Sequence, residues 1–223
     1  MTHKGFFITF EGPDGSGKTT QIHRLAEELE RCSLPYLLTR EPGGTEIGDK
    51  IRTIILNPDH PELAEKTEIL LYAASRSQHV IEKIVPAVNS GKIVLCDRFV
   101  DASIAYQGYG LGQSIDLVKM INEFATGGIS PDRTYLIDVS PETGRNRMKK
   151  RSGAPETGVT KSADDLDRIE MRALTYHKRV REGFLSIYEE NKSRIRLIDG
   201  EKNHDQVFQE IIADFSQFIS RGV

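Results

Sequence analysis

The chain has 223 residues, with 30 Lys+Arg against 33 Asp+Glu, a formal net charge of -3 and a pI of about 6.1. That length suits a single α/β domain, and the acidic balance excludes a global basic field of the kind that gathers nucleic acid. Two cysteines, Cys32 and Cys96, suggest no disulfide framework, so a reducing compartment is expected and both are read as packing residues.

The first expected element is a short strand over the apolar run Phe6 to Phe10. It is too short for a signal peptide or a membrane span, and a soluble, cytoplasmic protein is expected. Directly behind it stands GPDGSGKTT, which is Gly12, Pro13, Asp14, Gly15, Ser16, Gly17, Lys18, Thr19 and Thr20. The pattern Gly, four residues, Gly-Lys-Thr between a strand and a helix is a phosphate-binding loop. Its glycines let successive N–H groups curl around an anion at a helix start, where the dipole adds to the attraction. Lys18 then reaches the outer phosphates of ATP, and Thr19 offers its hydroxyl to Mg²⁺. A plain connecting turn would account for the glycines but not for the Lys-Thr pair at this spacing.

Ile22, Leu25, Ala26 and Leu29 stripe the helix that follows. A second strand is expected over Tyr36 to Thr39. Arg40 and Glu41 follow at its carboxyl end, where ligands of open parallel sheets bind. Arg40 there is either a ligand contact or a solvated residue beside a Pro-Gly turn. Ile47, Ile51, Ile54 and Ile55 outline a second helix. A long helix is expected from about 65 to 90, with an apolar stripe that includes Leu70 and Ile81, Tyr72 and Arg76 on another face, and a possible kink at Pro86. The run Lys92 to Asp97 reads as a strand buried on both faces, ending in a carboxylate suited to support Mg²⁺.

Asp101 to Gly112 is expected to begin as helix and dissolve into glycine-rich loop, followed by a helix over Ile115 to Phe124 and a strand over Thr134 to Asp138. Five of the seven residues from Arg145 to Arg151 are basic, and a Gly/Ser/Thr/Pro-rich stretch follows. This reads as a solvated helix face or, preferred here, as a lid over about 145–168 that closes on polyphosphate. A charged helix over Asp167 to Glu190, a strand over Ile195 to Asp199 and a final amphipathic helix complete the chain. Strands alternating with helices predict a doubly wound, five-stranded parallel sheet in one domain spanning 1–223. The histidines show no metal-ligand spacing.

Five motifs together resemble the bacterial thymidylate kinases: FEGPDGSGKTTQ (10–21), TREPGGT (39–45), LLYAASR (70–76), DRF…S..AYQG (97–108) and DRIE (167–170). They run in order across nearly the whole chain. The resemblance implies a nucleoside monophosphate kinase sheet with a helical lid, and transfer of the γ-phosphoryl of ATP to dTMP. It also implies a cytosolic homodimer serving nucleotide biosynthesis, whose partners are small-molecule substrates, with neither nucleic acid nor membrane involved. By the same resemblance, Asp97 and Thr19 hold Mg²⁺, Arg40 and Arg98 lie toward the dTMP phosphate, and Glu41 is a further substrate-binding residue. Asp14 lies near the sugar 3′-hydroxyl. Tyr72 takes the place of a stacking Phe, Arg76 meets the base with Ser103 and Gln107 nearby, and Tyr106 stands beside the sugar. No basic residue stands at 15–17, so the transition-state cation is expected from the lid, with Arg151 the candidate. The competing readings are a kinase for dUMP or another nucleoside monophosphate, and a nucleotide-dependent switch. Against the switch, the chain lacks an Asn-Lys-x-Asp motif.

Overall fold

A computed structural model describes residues 5–152 and 167–222, so the stretch 153–166, which carries most of the expected lid, lies outside the described residues. The five expected strands are all present: β1 (Phe7–Glu11), β2 (Tyr36–Arg40), β3 (Ile93–Asp97), β4 (Arg133–Asp138) and β5 (Ile195–Asp199). They form a parallel sheet in the order β2-β3-β1-β4-β5. Parallel neighbours cannot be joined by a tight turn, so every link is a helical crossover and both sheet faces are covered. Register sets Phe10 opposite Asp97 and Arg40 opposite the same Asp97. The carboxyl ends of β1, β3 and β2 therefore open side by side, and the loops that leave them share one rim.

Side chains alternate across β1. Ile8 and Phe10 pack with Ile22, Leu25 and Leu29 of α1 (Lys18–Arg31) and with Val207, Ile211 and Phe215 of α9 (His204–Gly222). Phe7 packs on the other face with Val80, Ile84 and Phe99. Between these lie α2 (Glu46–Leu56), α3 (Glu65–His79), α4 (Val85–Asn89), α5 (Val100–Ser103), α6 (Ile115–Thr126), α7 (Pro141–Ser152) and α8 (Leu174–Glu190). No helix among the described residues is long and apolar enough to cross a membrane.

Several local expectations are corrected. The long helix runs through a π-helical turn, Val80–Ile84, before α4. Pro86 has no N–H to give and its ring crowds the carbonyl four residues back, which falls within the widened turn. The segment after α5 does not become a loop but continues as a π-helix, Ile104–Gly110. Its glycines are packing notches: a Cβ at Gly110 would stand 2.6 Å from Tyr176 Cε2 and 2.8 Å from Val180 Cγ2 of α8. The helix expected from Asp167 begins only at Leu174, because the Asp167 carboxylate folds the preceding residues into a turn by accepting the N–H groups of Ile169 and Glu170. Cys96 is buried but Cys32 is exposed. Ile47, Ile54, Leu70 and Ile81, all assigned to apolar stripes, are exposed as well.

Candidate active site

The phosphate loop joins β1 to α1. Gly15 and Gly17 sit at φ 74° and 96°, the left-handed region that costs a Cβ-bearing residue free energy. Gly15 is also held by space, since a Cβ there would lie 2.3 Å from the Gly144 carbonyl oxygen of α7. Lys18 is buried, its ammonium donating to the carbonyls of Gly12 (3.1 Å) and Pro13 (2.9 Å) and to Ser16 Oγ (3.3 Å). Burial, then the neighbouring Arg98, push its amine down to about 8. The Thr19 hydroxyl donates to Asp97 Oδ2 at 2.8 Å. This hydroxyl and carboxylate fit a hard divalent cation, which takes one or two protein oxygens and completes its shell with phosphate and water. No group of three His, Cys, Asp or Glu among the described residues forms a closed metal cage.

Arg98 follows β3 with φ 69°, the left-handed region in a residue with a Cβ. Its guanidinium donates to the Gly12 carbonyl (3.0 Å), to Tyr106 Oη (3.1 Å) and to the Asp14 carboxylate, which also accepts from Tyr106 Oη at 2.8 Å. Burial pushes the Asp14 carboxyl up, but Arg98 and Lys18, with the Tyr106 hydrogen bond and His177, together outweigh it and hold it below the usual carboxylate value. Beneath this triangle Glu11 is wholly buried. Its Oε1 accepts the N–H of Phe99 at 2.7 Å, Oε2 has no hydrogen-bond partner among the described residues, and burial followed by Asp101 pushes the carboxyl up to about 8.

Asp14, Lys18, Thr19, Asp97, Arg98 and Tyr106 line a cleft of about 270 Å³ whose other wall is formed by Arg40, Glu41, Tyr72, Arg76, Ser103 and Gln107. Arg76 is 2% exposed. It donates to Glu41 (2.7 Å), Ser103 (2.9 Å), the Phe99 carbonyl (2.9 Å) and Asn122. A guanidinium carries five N–H groups, so one remains for a ligand among the described residues. Glu41 is shared between Arg76 and His79 Nδ1, and Arg40 is paired with Asp49. Burial, then Glu68, push the Tyr72 phenol up, so its ring is neutral. Of the sequence-identified residues, Asp14, Gly15, Lys18, Thr19, Arg40, Glu41, Tyr72, Arg76, Asp97, Arg98, Ser103, Tyr106 and Gln107 meet in one cleft; Gly12, Pro13, Ser16, Gly17 and Thr20 complete the loop and the start of α1 without lining it, and the side chain of Arg151, at the end of α7, lies outside the described residues. Sequence reasoning missed Arg52 and Leu56, and gave no role to Asp167 and Ile169 of the DRIE motif; all four line the cleft. Arg52 donates to the Pro42 carbonyl at 2.9 Å and lies one turn after Gly48 on the polar face of α2, the signal that was available.

Comparison with known proteins fits this geometry. The thymidylate kinase family model matches residues 10–211. The chain belongs to the thymidylate kinase family. The thymidylate kinase of Exiguobacterium sibiricum is 48% identical over 217 residues, covering 97% of each chain. That of Lactobacillus acidophilus is 44% identical over 221 residues, 99% of this chain and 98% of its own. The crystal structure of thymidylate kinase from Ehrlichia chaffeensis is similar in fold, with a TM-score of 0.73 at 33% identity, covering 95% of this chain and 99% of that one. Thymidylate kinases phosphorylate dTMP to dTDP with ATP as donor, and this chain is an enzyme of that family.

Proposed function

We propose that the cleft transfers the γ-phosphoryl of Mg-ATP to dTMP, with the donor held by residues 12–20 and the acceptor by the far wall. The observation that carries this reading is the shared cleft, in which Lys18, Thr19 and Asp97 face Arg40, Tyr72, Arg98 and Gln107. Both reactants are polyanions, and unit charges ~4 Å apart repel by about 4 kcal/mol at an effective dielectric near 20. Lys18 and Arg98, which both donate to the Gly12 carbonyl, stand together at the junction and offset that repulsion. Mg²⁺, when bound beside Thr19 and Asp97, neutralises phosphate charge. The dTMP phosphate has a second pKa of about 6 and is mostly dianionic at neutral pH, so no general base is needed. Orientation and charge stabilisation then carry the rate.

Asp14 and Tyr106 hold Arg98 toward the acceptor phosphate and flank the sugar. Tyr72 stacks on the base, and Arg76 and Gln107 meet its polar edge, with Ser103 and Glu41 fixing Arg76. The whole chain is read as one kinase domain with a lid over about 145–168, from which Arg151 supplies the transition-state cation. The enzyme is cytoplasmic and works as a homodimer. Support for pairing comes from α3 and α6, which pack side by side and leave Leu70 (58% exposed), Met120 (62%) and Phe124 (90%) uncovered. ADP release with Mg-ATP, measured with dTMP, dUMP, UMP, CMP and no acceptor, tests the assignment. Turnover as fast without dTMP as with it would overturn it.

A further inference from the structure

Glu68 of α3 is fully buried and stands outside the cleft, yet four side-chain hydrogen bonds converge on it. Arg168 and Arg172 each donate to its Oε2 at 2.6 Å, and Arg172 also approaches Oε1 at 3.5 Å. The Gln107 amino group donates to Oε1 at 3.2 Å. A carboxylate gripped by two guanidiniums can only accept hydrogen bonds. That settles which way the Gln107 amide faces: its NH₂ end is turned to Glu68, and its carbonyl oxygen is the end left for the cleft, where Gln107 is a lining residue. The wall of the site therefore offers a hydrogen-bond acceptor, complementary to the ring N3–H of thymine or uracil. Cytosine presents an unprotonated N3 there, and two acceptors would face each other.

We propose that Glu68 is a positioning residue for base selection, which orients the Gln107 amide so that the site takes bases with a ring N–H and rejects those with a ring acceptor. This rests on the reading above that Gln107 faces the base. The two arginines belong to the turn and residues leading into α8, and Arg168 is itself tied to α2 through the Ile55 carbonyl at 2.8 Å. Glu68 thus joins four separate parts of the chain at the one point that sets the polarity of the wall.

The polarity can be reversed with little change of shape. In Glu68→Gln the amide oxygen stays with the two guanidiniums, where two donors converge, so its NH₂ falls opposite the NH₂ of Gln107. Donor against donor is unfavourable, and Gln107 turns over to present its own NH₂ to the cleft. We expect kcat/KM for dTMP relative to dCMP to fall at least about tenfold in Glu68→Gln, through loss on dTMP and gain on dCMP. A merely structural role predicts that both substrates decline together and leaves the ratio unchanged, which would overturn the proposal. Gln107→Leu is measured beside it. A wild-type ratio in Gln107→Leu removes Gln107 from base recognition and Glu68 with it, whereas a collapsed ratio there with a wild-type ratio in Glu68→Gln overturns the positioning role alone. Should Glu68→Gln fail to fold, Glu68→Asp keeps the charge for the arginines but draws the carboxylate back from Gln107. It should lower the ratio toward that of Gln107→Leu, and an unchanged ratio there overturns the proposal.

Discussion

The two ends of the cleft are built in different ways. At the phosphate-loop end, residues 12–20 are contiguous, the left-handed glycines shape the backbone, and Lys18 is held by carbonyls and a hydroxyl within six residues of itself. At the far end almost nothing is local. Arg76 reaches Glu41, Phe99, Ser103 and Asn122, and Glu68 gathers Gln107, Arg168 and Arg172, which lie 39, 100 and 104 residues away in sequence. Phosphate is recognised by curvature and charge, which a short stretch of backbone supplies. A base edge is recognised by the direction of single donors and acceptors, and these must be braced from several elements.

That contrast makes unequal demands on stability, and mutations can break it. Lys18→Ala should lower kcat by about 10³-fold while leaving the melting temperature no lower than wild type, because the ammonium sits in a site that disfavours its charge. A large loss of stability would mean that the loop is braced as the far end is. Arg76→Ala should do the opposite: it takes the guanidinium from Glu41, which is 4% exposed and keeps only His79 among the described residues, and should cost about 3 kcal/mol or more in denaturant unfolding. A stability within error of wild type would show the network to be dispensable. Gly110→Ala should cost roughly 2 kcal/mol through overpacking against Tyr176 and Val180, with its effect falling on dTMP rather than ATP affinity. The smallest effect is in pH. The free enzyme needs charged Lys18, so kcat/KM for ATP should fall by about half near pH 8 and further above it, whereas kcat, read with phosphates bound, should hold to higher pH. A flat profile of kcat/KM to pH 10 would remove the burial of Lys18 as a factor.

The same contrast governs what could be read from the sequence. The five parallel strands, the phosphate loop, and Asp97 at the end of the interior strand β3 are carried by short contiguous patterns, and all were legible. Tyr72, Arg76 and Gln107 were reached only through resemblance, because nothing in their local spacing distinguishes a cleft residue from a helix face. Glu68 was not reached at all. A lone glutamate among apolar residues of a helix looks solvated until Arg168 and Arg172, a hundred residues on, are seen to cover it. The π-helix Ile104–Gly110 was misread for a related reason: glycine signals a loop in sequence, and only the approach of α8 reveals it as clearance for a neighbour.

Glu11 gives the fold a proton balance of its own. Unfolded, a glutamate of this kind releases its proton near 4.5; folded, it keeps it to about 8. Between those values the native chain holds a proton that the unfolded chain has lost, so stability from this group is full below 4.5 and is lost as pH rises through about 8. Lys18 acts in the opposite sense, since its amine falls from 10.5 to about 8 on folding and stability is regained as pH rises between those values. The two groups stand within one strand end and loop, and together they carve a trough in the stability curve near pH 8. Folding therefore draws a proton from the medium on the acidic side of that trough and returns one on the alkaline side.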